Sequence, residues 1–145
     1  LHTLLREQKF KVFLAKSMGN LFPTLTVNSG IDASLLSHDP RVVELYQKDP
    51  LVHAQVTAAW GAAMLRTVNL VYENAAQFPL PLLLMHGTED QIAYPSSSLS
   101  FYELAPKETT TLKMWEGFRH ELRNESGREK VFKFMIDWMD QQINS

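Results

Sequence analysis

Two short stretches carry residues able to move a proton. "HGTEDQI", residues 86–92, follows one apolar run, and "EGFRHEL", residues 116–122, follows another. Asp90 in the first and His120 in the second could form a pair. A carboxylate fixes the tautomer of an imidazole and stabilises the imidazolium, and the imidazole takes the proton of a hydroxyl nucleophile. The same residues have plainer readings. Asp90 could be a turn or helix-capping aspartate, and His120 a loop histidine bonded to backbone. Glu89 competes with Asp90 for any acidic role. His86 stands at a strand end and reads as structural, while His2, His38 and His53 lie in unrelated contexts. No histidine–carboxylate set shows helix-spaced ligand geometry, so no metal site is expected. One hydroxyl stands out in "FLAKSMGN", where Ser17 lies between Ala15 and Gly19 as in a strand-to-helix elbow.

The elements that must position these groups can be read from pattern. Leu82, Leu83, Leu84 and Met85 form a short apolar run ending at His86-Gly87, which predicts a strand near 81–86 buried on both faces of a parallel sheet. A helix is predicted from Pro95 to just before Pro106. Thr110 to Trp115 predicts a second strand, made more polar by Lys113, as an edge strand would be. Ser126-Gly127-Arg128-Glu129 has capping-box spacing. It opens a last helix with Val131, Phe134, Met135, Trp138 and Met139 on one side. Strand, helix, strand, helix is an α/β pattern, and in such sheets functional groups gather beyond the carboxyl ends of the strands. Asp90 and His120 occupy equivalent places there.

Upstream the character differs. Leu4, Leu5, Phe13 and Leu14 share a helical face, predicting an amphipathic helix over 3–18. Residues 19–38 are irregular, broken by Gly19, Pro23 and Gly30. Asp39-Pro40 reads as N-cap and first helical position of a short helix to about Gln47. Asp49-Pro50 repeats the signal and predicts a long helix from Leu51 to about Ala76, weakened at Gly61. That helix would carry Val52, Val56, Trp60, Met64, Val68 and Val71 roughly on one face. Pro79 and Pro81 bracket a linker. The chain therefore divides at 78/79 into a helical and irregular segment, 1–78, and an α/β segment, 79–145.

Composition narrows the class. The 145 residues include no cysteine, which excludes disulfides and thiol catalysis. A net charge of −2 without a basic block argues against nucleic acid. No apolar run reaches the length of a membrane span, and Arg6 to Lys9 interrupt any leader. The first residue is Leu1, which suggests a processed chain or a fragment.

Four stretches together resemble one family. "SGIDASLLSHDPRVVELYQKDPLVH" looks like a cap segment, "PLLLMHGTEDQI" like a strand plus acid loop, "TLKMWEGFRHEL.NE" like a last strand plus histidine loop, and "FKFMIDWM" like a closing helix. In this order and spacing they resemble the C-terminal half of the monoacylglycerol lipase/lysophospholipase branch of the α/β-hydrolases, serine aminopeptidase-like. The resemblance implies catalytic roles for Asp90 and His120, and site-wall roles for Ile92 and Phe118. It implies a cap over the last two strands, an acyl-chain pocket walled by that cap, and no cofactor.

The family order is Ser, then Asp, then His, with the serine on an earlier strand. Ser17 fits the order but not the context. It follows charges at helical spacing, and Pro23 would fall inside the helix an elbow requires, at a cost of about 3 kcal/mol. The resemblance puts Ser17 in the lead-in to the cap. The expectation is thus a serine ester hydrolase acting on monoacylglycerol or lysophospholipid, with its nucleophile outside this chain and the chain alone inactive. Its partners would be the lipid ester and the N-terminal half of the core, or a second copy, paired through the strand at 81–86. A cytoplasmic setting, peripheral to membranes, fits that substrate. The alternative is a non-enzymatic α/β-hydrolase-like module for binding or assembly.

Overall fold

The computed structural model describes residues 21–144. The helix predicted over 3–18, and with it Ser17, lies outside the described residues. Two layers of organisation are present. Residues 82–115 form a parallel strand pair with an intervening helix, and residues 26–73 form a small antiparallel ribbon with two helices.

The strand pair is the frame of the site. β3 (Leu82–Gly87) and β4 (Thr110–Trp115) run parallel, in register from Leu82↔Thr110 to Gly87↔Trp115. The connecting helix α3 (Pro95–Leu104) starts on Pro95, whose fixed φ suits a first helical position, and packs on β3. Leu82, Leu83, Leu84 and Met85 are half-buried rather than buried on both faces as the sequence suggests. Among the described residues only β4 pairs with β3, so its other edge has no covering strand.

The last helix, α4 (Arg128–Ile143), covers β4. Trp115 meets Phe134 edge-on at 5.9 Å, Trp138 Nε1 donates to Thr111 Oγ1 at 3.0 Å, and Val131 is the most deeply buried residue of the helix. The expected capping box is absent. Gly127, not Ser126, occupies the N-cap, at φ 90°, and no side chain caps the helix. Only glycine takes that left-handed conformation without strain, so the chain turns into α4 through backbone freedom rather than a serine hydroxyl.

The upstream half contains strands that periodicity missed. β1 (Thr26–Asn28) pairs antiparallel with β2 (Gln55–Thr57), extended by Ser29 N–H to Ala54 O and Ala58 N–H to Leu25 O. This pairing overturns the long helix predicted from Leu51. Asp49 does accept the Leu51 N–H, but it caps only a turn. The helix begins seven residues later, as α2 (Ala58–Glu73), where Thr57 Oγ1 accepts the Trp60 N–H. It runs through Gly61 without a break. Val52 and Val56 are therefore not on the helix, and the expected apolar stripe is reduced to Trp60, Met64, Val68 and Val71. The preceding helix, α1 (Pro40–Lys48), is as the sequence implies, with the Asp39 side chain accepting the Arg41 N–H. Tyr72 joins the two layers. Its hydroxyl donates to Ser97 O at 2.7 Å, and its ring meets Phe101 edge-on at 6.0 Å.

Candidate active site

The carboxyl ends of β3 and β4 each lead into a loop, and the two loops are stitched together. Thr88 N–H donates to Trp115 O, Glu89 N–H to Phe118 O, and Gly117 N–H to Thr88 Oγ1, each at 2.9 Å. The crossing is close. A Cβ on Gly87 would stand 2.2 Å from Phe118 O and 2.4 Å from Arg119 O. Glycine at the strand end is what lets the histidine loop pass.

That crossing sets Asp90 against His120. Asp90 is 4% exposed. Its Oδ1 accepts the N–H groups of Ile92 at 2.8 Å and Ala93 at 3.0 Å. Its Oδ2 accepts His120 Nδ1–H at 2.9 Å and lies 3.0 Å from His86 Nε2. Four donors thus surround one carboxylate, close to its full capacity. Burial pushes its pKa up, but the hydrogen bonds from His120, His86 and the Ala93 N–H outweigh burial. Asp90 stays ionised well below the usual carboxylate range. The bond to Asp90 raises the pKa of His120 against the opposing pull of burial, with smaller support from the charges of Asp90 and Glu121.

The tautomers follow from the partners. An ionised Asp90 only accepts, so His120 carries its hydrogen on Nδ1 and presents a lone pair at Nε2. The His120 side chain is 37% exposed, and among the described residues no hydrogen-bond partner occupies Nε2. The carbonyl of Ala93 also only accepts, so His86 carries its hydrogen on Nε2, shared between Ala93 O at 2.5 Å and Asp90 Oδ2. Ser98 Oγ, 2.7 Å from His86 Nδ1, then donates. A base nitrogen without a partner, on a ring oriented by a carboxylate, can accept a proton from a hydroxyl and return it to a leaving group.

The other expected residues fall in several places. Ile92 reaches Asp90 through its backbone N–H. The Phe118 ring packs on Trp115 at 5.6 Å, and its carbonyl holds the acid loop. Glu89 does not compete with Asp90; its carboxylate faces His38 Nε2 at 3.3 Å. His38 is not in an unrelated context, since its Nδ1 also meets Glu125 Oε1 at 3.0 Å. Glu125, 4% exposed, was not singled out by sequence. Nor was the contact of His86 with Asp90, although the i, i+4 spacing across a tight turn was visible. A cavity of about 240 Å³ opens beside Glu121, lined by Val42, Leu45, Tyr46 and Val52 with the polar Asp49, Glu121 and Asn124. Among the described residues no cluster of three or more His, Cys, Asp or Glu side chains could hold a metal ion, and no helix is long and apolar enough to cross a membrane.

Comparison with known proteins bears on this geometry. A family model described as serine aminopeptidase, S33, matches residues 2–127. The chain is 34% identical over 116 residues to a monoglyceride lipase of Rattus norvegicus, covering 79% of this chain and 38% of that protein. It is 31% identical over 129 residues to a monoacylglycerol lipase of Mycolicibacterium smegmatis, covering 88% of this chain and 46% of that protein. The crystal structure of Paleococcus ferrophilus monoacylglycerol lipase superposes with a TM-score of 0.86 at 30% identity, over 89% of this chain and 51% of that one. The chain thus spans less than half the length of either curated relative. Its fold is the C-terminal portion of an α/β-hydrolase.

Proposed function

The chain belongs to the serine aminopeptidase S33 family of α/β-hydrolases, monoglyceride lipase-like, and from that premise we propose that the protein carrying it is a serine esterase for monoacylglycerol or lysophospholipid. Asp90 and His120 are its acid–base pair, and the nucleophile is a serine supplied from outside this chain. The observation that carries the reading is the 2.9 Å bond between Asp90 Oδ2 and His120 Nδ1, which leaves Nε2 without a hydrogen-bond partner among the described residues on a side chain 37% exposed. The serine Oγ attacks the ester carbonyl as its proton passes to His120 Nε2. The imidazolium, held by Asp90, then gives that proton to the departing glycerol oxygen. Water deacylates the serine by the same proton path in reverse.

The cap supports a lipid substrate. Val42, Leu45, Tyr46 and Val52 offer apolar wall for an acyl chain, while Asp49, Glu121 and Asn124 make the rest of the lining polar, as a hydroxylated head would require. Trp60 and Val71 on α2, each about half exposed, are further candidates to meet the chain, with Ile92 near the acid. In this reading residues 1–78 are lead-in and cap, and 79–145 the end of the hydrolase core. Such an enzyme would act in the cytoplasm, peripheral to membranes. The test is a substrate panel on the full-length protein: a monoacylglycerol, a lysophospholipid, a short p-nitrophenyl ester and an aminoacyl anilide. Higher kcat/KM on the long-chain esters is expected. Preference for the anilide would replace the lipid reading with a peptidase, and no turnover of any of them would remove the esterase.

A further inference from the structure

The Glu125 side chain is as buried as that of Asp90, both 3% exposed, yet the proton path above does not use it. It follows the 3-10 turn Leu122–Asn124 at the end of the histidine loop. Its Oε1 accepts the N–H of Arg119, the residue just before His120, at 2.9 Å. The same carboxylate accepts the backbone N–H of His38 at 3.1 Å and His38 Nδ1–H at 3.0 Å. Further ties run alongside. Glu121 N–H donates to Leu36 O at 2.9 Å, Ser37 Oγ to Asn124 O at 2.9 Å, and Arg119 Nη1 to Ser34 O at 2.6 Å. His38 Nε2 then reaches Glu89, next to Asp90.

Burying a carboxylate is unfavourable unless hydrogen bonds replace its water. Burial does push the pKa of Glu125 up, but the N–H groups of Arg119 and His38 and the His38 ring outweigh it, and the group stays ionised. An apolar residue here would leave two backbone N–H groups without an acceptor in a buried place. We propose that Glu125 is a positioning residue: it holds the backbone of Arg119 and thereby sets His120 against Asp90. Its bearing on catalysis rests on the esterase reading, but its hold on His120 can be measured without turnover.

The experiment is an NMR titration of His120 in the full-length protein, alongside kcat and KM on a monoacylglycerol. The variants are Glu125→Ala, Glu125→Gln and, as a remote destabilising control, Trp138→Phe. In Glu125→Ala the His120 pKa should fall back toward the ordinary 6.5 as the Asp90 bond loosens. Its kcat should fall by up to about 100-fold, with KM within about twofold. Glu125→Gln keeps an acceptor oxygen for Arg119 and should lie between; Trp138→Phe should lower the Tm and move neither readout. An unchanged His120 titration in Glu125→Ala would overturn the proposal, as would a shift in Glu125→Gln larger than in Glu125→Ala or an equal shift in Trp138→Phe. If Glu125→Ala does not fold, Glu125→Met, which fills the space without an acceptor oxygen, decides by the same titration. A wild type that titrates as expected but hydrolyses no ester would sink the esterase reading and leave the positioning role standing.

Discussion

Replacing Asp90 by asparagine keeps the shape of the carboxyl group and removes the charge that holds His120. In the full-length protein, Asp90→Asn should slow ester hydrolysis by about 10⁴, as the corresponding change does in a serine protease. The pH dependence carries a second signature. His120 must be neutral to accept a proton, and Asp90 raises its pKa, so the acid limb of the rate profile should lie above the ordinary 6.5. In Asp90→Asn that limb should move down in pH. Both partners add stability, but its pH dependence has the opposite sign on each. The depressed Asp90 contributes above pH 3.8 and loses its contribution as pH falls further. The raised His120 contributes fully below pH 6.5 and loses it as pH rises through the folded pKa. The pair should therefore stabilise most between those values, a window that denaturant melts across pH would reveal and that Asp90→Asn should erase. That Asp90 and His120 could pair was legible because each follows an apolar strand by a few residues, but spacing left turn and loop readings open, and their catalytic roles were implied by the family resemblance alone. The pairing of Glu125 with His38 was not legible, since they meet across 87 positions and neither sits at a strand end.

At the scale of elements, the close crossing at Gly87 makes a sharp demand. An added methyl would fall on two backbone carbonyls, which cannot swing aside as a side chain can. Gly87→Ala should cost at least the roughly 1–3 kcal/mol typical of overpacking, and should push the histidine loop off Asp90. Circular dichroism melts and ester turnover on the same variant would show both effects; a variant of parental stability and rate would mean the loop tolerates displacement. The parallel strands, α3 and α1 were readable because their signals are local: an apolar run, a proline at the first helical position, an aspartate before it. The β1–β2 ribbon was not, because three-residue strands of Thr, Val, Asn and Gln carry no period and exist through each other. The same ribbon explains why α2 starts at Ala58 and not at the proline signal of Asp49-Pro50.

At the scale of the molecule, β3 has one edge without a strand partner among the described residues, although its sequence reads as interior. Leu70, Leu80 and Ile136 are also more than half exposed. An apolar side chain of this size left in water forgoes about 1.5–3 kcal/mol, a sizeable part of a typical total stability of about 5–15 kcal/mol. An open strand edge is also a template for association. The 145-residue chain by itself should therefore self-associate or aggregate, pairing through the open edge of β3 with a copy of itself. Light scattering behind size exclusion checks this; a monodisperse monomer with a sharp reversible melt would contradict it and favour a self-sufficient binding module. In the proposed mechanism His120 Nε2 is the proton acceptor of an ester hydrolase. The most direct measurement of that role is monoacylglycerol hydrolysis by the full-length protein and by its His120→Ala variant, with folding confirmed. The variant should lose about 10⁶ in kcat, as triad enzymes of other folds do. A folded His120→Ala variant that hydrolyses the ester within tenfold of the parent would remove His120 from the chemistry.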